Sequence, residues 1–103
     1  MKEFFILKGV EIFDSILQLQ RNLEAKIQSL GSRGNEARKV IDYLFLQPVI
    51  DASKIVAITG KSRATNYKLI DELEKLDVLK EITGAQRNKL YIFNDYMELF
   101  KNE

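Results

Sequence analysis

Between positions 10 and 30 the apolar residues recur in steps of three and four. Phe13, Ile16, Leu17, Gln20, Leu23, Ile27 and Leu30 form a stripe with one polar member, the pattern of a long amphipathic helix. Arg21, Glu24 and Lys26 lie off it. The run "GSRGN" at 31–35 ends this helix, with Gly31 suited to the position just past the last turn. The same spacing resumes at Ala37, Val40, Ile41, Leu44 and Phe45, which predicts a second helix from near Asn35 or Glu36 to near Gln47. Pro48 cannot extend it, because proline lacks an amide hydrogen and constrains the residue before it. "PVI" at 48–50 then reads as a short extended piece.

Asp51 or Ser53 suits the N-cap of a third helix that carries Ile55, Val56 and Ile58. "TGKS" at 59–62 follows, with Gly60 for a tight turn and Ser62 to cap a fourth helix over 63–76. Leu69, Ile70, Leu73 and Leu76 make the inner stripe of that helix; Arg63, Tyr67, Lys68, Asp71 and Glu72 make its outer face. After Asp77 the period changes. "VLKEIT" and "KLYIF" alternate apolar and polar residues and are joined by "GAQRN", where Gly84 and Asn88 supply turn chemistry, so they predict a β-hairpin. Asn94 or Asp95 then caps a short last helix, "YMELF".

The expected fold class is therefore mainly α with a small β-hairpin: a winged helix-turn-helix over 35–103, preceded by a long N-terminal connecting helix over 1–34. In that architecture the third helix braces the fourth, whose first residues can enter a DNA major groove, and the hairpin over 79–93 is the wing. Ser62 and Thr65 would meet a phosphate at the helix start. Arg63 is the base-edge candidate, because a guanidinium pairs bidentately with guanine. Tyr67 lies one turn on, with Lys68 beside it to reach the backbone; Lys61 in the turn and Arg87 and Lys89 on the wing complete the positive surface. Each has a plainer role open to it. Ser62 caps its helix with or without DNA, Tyr67 can pack on the wing, and Arg87 and Lys89 can be a solvated hairpin.

Composition narrows the chemistry more than the partners. The chain of 103 residues has 16 Lys and Arg against 15 Asp and Glu, a net charge of +1, so a nucleic-acid binder would have to gather its cations on one face. Glu36, Asp71, Glu72, Glu74 and Asp77 dilute that face. There is no histidine and no cysteine. This removes the usual general base, the commonest metal ligand, thiolate nucleophiles and disulfides. Neither catalysis, nor a metal, nor a cofactor, nor a small-molecule substrate is expected of this chain. No apolar run approaches the roughly 20 residues of a bilayer span. The opening "MKEFFILKGVEIF" is broken by Lys8, Gly9 and Glu11 and lacks a small-residue cleavage site, so it is not expected to be a signal peptide. A cytoplasmic location without membrane contact follows as an expectation.

"LFLQPVI" at 44–50, "LIDELEKLDVLKEITG" at 69–84 and "RNKLYIFNDYMELF" at 87–100 resemble the C-terminal winged-helix domain of Fic family proteins. The likeness extends over 37–100, and "FFILKGV" at 4–10 is similar to the junction between that family's catalytic domain and a connecting helix. The family transfers a nucleotide monophosphate, usually AMP from ATP, to protein hydroxyls through a loop of the form HPFxxGNGR. That loop is absent, so the resemblance implies a non-catalytic accessory domain. Two positions depart from the pattern. Asp77 stands where glycine is common, and Asn66 where a small or apolar residue is usual, so Asn66 needs a hydrogen-bond partner if buried. Two functions follow as expectations: binding of double-stranded DNA, or a protein-interaction role in which the domain packs on a Fic catalytic domain or on a second copy of itself.

Overall fold

The apolar spacings resolve into nine short segments of regular structure in the computed structural model, which describes residues 2–84 and 89–100, with side chains from position 11 onward. In chain order they are α1 (Lys2–Ser29), a 3-10 turn (Gly31–Arg33), α2 (Gly34–Leu46), β1 (Val49–Asp51), α3 (Ala52–Thr59), α4 (Arg63–Lys75), β2 (Leu79–Glu81), β3 (Leu90–Phe93) and α5 (Asn94–Glu98). The protein is mainly helical, with one small antiparallel sheet. The expected winged helix-turn-helix, with a long helix before it, is the fold observed.

The stripe of α1 is shifted from the expected one. Leu19, Leu23 and Ile27 are buried, whereas Gln20 is exposed and Phe13 keeps 61% of its surface in solvent. Buried positions that repeat every four residues place Leu19 about 100° around the helix from Gln20. The helix also starts at Lys2, well before the expected position 10. The three buried side chains join one core with Ala37, Val40, Ile41 and Leu44 of α2, Ile55 of α3, Leu69, Ile70 and Leu73 of α4, and Tyr91 and Phe93 of β3. Gly34 opens α2 where a Cβ would stand 3.2 Å from the carbonyl oxygen of Ile27, so the two helices approach closely at their shared corner.

The extended piece after Pro48 is a strand. β3 lies between β1 and β2, with Ile50 opposite Tyr91 and Leu79 opposite Phe93. The expected two-stranded hairpin is thus the larger part of a three-stranded sheet. Without β1, the second edge of β3 would leave buried backbone groups unpaired. Pro48, at the strand's entrance, loses nothing by lacking an N–H, and its carbonyl accepts from the Phe93 amide at 2.8 Å. α5 differs as well: its cap position is Phe93, with no side-chain cap from Asn94 or Asp95. Tyr96 anchors it instead, stacked on Phe93 at 5.5 Å and edge-on to Phe45 at 5.2 Å.

Asp77 ends α4 in the left-handed region, with φ 61°. Its amide bonds to the Glu74 carbonyl and the next amide, Val78, to Leu73, a closing pattern that usually takes glycine. An aspartate tolerates this backbone better than most residues. The carbonyl of the C-cap residue is also covered from outside, since Lys26 Nζ donates to Leu76 O at 2.7 Å.

Two exposed carboxylates give the fold an acid dependence. The Arg38 guanidinium donates two hydrogen bonds of 2.7 Å to Glu24 and holds its carboxyl below the ordinary glutamate value of 4.5. Glu81 is lowered by the Thr83 hydroxyl and the Gly84 amide. A carboxyl whose pKa is lower in the folded chain adds stability above its unfolded value and loses it as pH falls through the folded one. Melting temperature is expected to stay level from neutral pH down to about 5 and then to fall. Arg38→Met should flatten part of that acid limb in circular-dichroism melts. An identical limb in the variant would show that the Glu24 pair adds nothing.

Candidate nucleic-acid interface

The corner between α3 and α4 is set by local chemistry. Asp51 accepts from the Lys54 amide at 2.8 Å and caps α3, so of the two expected candidates it is the cap. Ser53 instead accepts from Arg63 Nη2 at 3.2 Å. Gly60 leaves α3 with φ 71°, a conformation glycine adopts without strain. Ser62 caps α4, its Oγ accepting from the Thr65 amide at 3.2 Å and donating to Thr65 Oγ1 at 3.0 Å.

The residues singled out in the sequence do not form one patch. Arg63, Tyr67 and Lys89 come together in a groove of about 490 Å³ between α4, β3 and the start of α3. Lys61 and Thr65 line a second depression of about 320 Å³ on the opposite flank of α4, with Ser32, Arg33 and Glu36. Lys61 Nζ stands 3.9 Å from Glu36 there. Ser62 and Lys68 are exposed, and Lys68 points between the two flanks, five positions or about 140° around the helix from Arg63. Arg87 lies outside the described residues. Glu72, expected on the outer face, is half-buried and paired with Arg33.

The groove also holds groups that the sequence reading did not place there: Asp51, Ser53, Ile70, Glu74 and Tyr91. Glu74 could have been found, because its distance from Arg63 is three helical turns and returns it to the same side. Tyr91 carries no such signal, since its place depends on strand register. Asp71, also in the groove, pairs with Lys75 at 3.0 Å. Burial raises the Tyr91 hydroxyl pKa, and Glu74, Tyr67 and Glu81 push it further in the same direction. In the groove the second half of α4 contributes the acids Asp71, offset by Lys75, and Glu74, while the cations Arg63 and Lys89 come from the helix's first turn and the wing.

Asn66 is 1% exposed and fully partnered by Thr59 and the Lys61 carbonyl. This meets the requirement that its burial imposes. Among the described residues, no group of acidic side chains is arranged to hold a metal ion, and no helix is long and apolar enough to cross a membrane. Compared with known proteins, the chain matches no family model, no curated protein and no solved structure.

Proposed function

We propose that the protein is a non-catalytic, DNA-binding winged-helix domain, the accessory domain of a Fic-type protein as its sequence resemblance implies. One observation carries the DNA reading: a side-chain-capped first turn of α4, braced on α3, leaves Arg63 and Thr65 exposed at its open end, with Lys68 exposed in the next turn. The backbone amides at the very start of that turn and the Thr65 hydroxyl would take a phosphate, and Ser62 would join them if its hydroxyl turned from Thr65. Arg63 would reach a guanine edge, and Lys68, Lys61 and Lys89 would reach the sugar-phosphate backbone. The acids Asp71 and Glu74 keep phosphates away from the second half of the helix, so it docks by its end rather than along its length.

Fluorescence-anisotropy titration of labelled duplexes tests this. With about three phosphates neutralised, the logarithm of affinity should fall with the logarithm of salt concentration at a slope of about −3. Absence of binding at tens of micromolar in low salt overturns it. Glu74→Gln is expected to tighten binding a few-fold by removing a charge that repels phosphate. Unchanged affinity in that variant would mean that the groove does not face the duplex.

A second reading, a protein-interaction module that packs on a Fic catalytic domain or on a second copy, is favoured by Phe13. Its ring is 61% exposed on α1, apolar surface that a partner would cover. Light scattering that shows a strict monomer at high concentration would count against self-association.

A further inference from the structure

Among the described residues, Thr59 and Asn66 are the buried polar side chains, and both sit at the corner between α3 and α4. Thr59 Oγ1 donates to Asn66 Oδ1 at 2.9 Å and accepts from the Lys61 amide at 3.2 Å. Asn66 Nδ2 donates to the Lys61 carbonyl at 3.2 Å. The ring is closed. A side chain from each helix holds one polar end of Lys61, and no buried side-chain nitrogen or oxygen among the described residues lacks a partner. Apolar residues at 59 and 66 would leave the Lys61 amide and carbonyl without these partners. What the polar ring adds is orientation. Only Gly60, Lys61 and Ser62 separate the helices, and the freedom of Gly60 would otherwise let the turn take more than one course.

We propose that Thr59 and Asn66 are positioning residues for the nucleic-acid interface. They hold the peptide units on both sides of Lys61 in one orientation, so that the turn and the first residues of α4 meet a duplex already arranged. The inference rests on the DNA reading, but its first consequence can be seen in the free protein.

Thr59→Val keeps the shape of the side chain and removes the hydroxyl, while Thr59→Ser keeps the hydroxyl and removes a methyl group. Three quantities are read for each: hydrogen exchange at the Lys61 amide by NMR, melting temperature, and affinity for a labelled duplex. In the Val variant, Lys61 exchange should rise about tenfold and duplex affinity should fall several-fold; the Ser variant should restore both. Asn66→Leu repeats the test if the Val variant does not fold. Lys61 exchange that is the same in both variants overturns the proposal, and so does duplex affinity that follows melting temperature instead of the hydroxyl. If the unsubstituted protein binds no duplex, the DNA reading fails, and Lys61 exchange alone then decides whether the ring holds the turn.

Discussion

Phe93→Ala is expected to destabilise the protein by about 3–5 kcal/mol and to lower its melting temperature by about 15 °C or more. The ring is fully buried at the end of the central strand. It meets Phe45 of α2 edge-on at 5.1 Å and Tyr96 of α5 face-on at 5.5 Å, and its strand position is opposite Leu79 of β2. Truncation therefore opens a cavity bounded by two helices and the sheet, which no single neighbour can close. A domain of this size has a total stability of about 5–15 kcal/mol, so the substitution removes a large fraction of it. Thermal and urea unfolding check this. A melting temperature within a few degrees of the unsubstituted protein would show that the aromatic cluster does not support the fold.

The second large effect concerns binding. Arg63→Ala combined with Lys68→Ala should leave the fold within about 0.5 kcal/mol of its original stability, because both side chains are exposed. Arg63 gives up one hydrogen bond of 3.2 Å to Ser53, also at the surface. In the DNA reading the same double change costs more. A guanidinium lost from a guanine edge removes about 1–3 kcal/mol of discrimination, and a lysine lost from a phosphate reduces the salt slope by about 0.9. The variant should bind all duplexes alike and weakly, with a shallower dependence on salt. Full affinity in a correctly folded double variant would remove the first turn of α4 from the interface.

The architecture was largely legible in the sequence because its signals are local. Gly60 and Pro48 mark boundaries by what their own backbones can and cannot do, Ser62 does so by its side-chain cap, and the spacing of Leu69, Ile70 and Leu73 matches the buried stripe of α4. The failures are non-local. Choosing Leu19 over Gln20 on α1 requires knowing where α2 lies, and the pairing of Val49 with Ile92 joins positions far apart in the chain. The candidate site suffered in the same way. Arg63, Tyr67 and Lys89 share a groove; helical spacing already turns Thr65 about 200° away from Arg63, but the places of Lys61 in the turn and Lys89 on the wing depend on packing between elements. Nor could spacing show that Thr59, an ordinary helix-end residue, is the partner Asn66 requires.

The sheet order has a consequence for synthesis. β1 is synthesised well before β3, the strand that lies between it and β2. Until Tyr91 and Phe93 arrive, α2, α3 and α4 have no lid over their shared apolar surface, and Ile50 has no strand to pair with. The sheet therefore cannot be completed until the last of its three strands to be synthesised takes its place between the two that precede it in the chain.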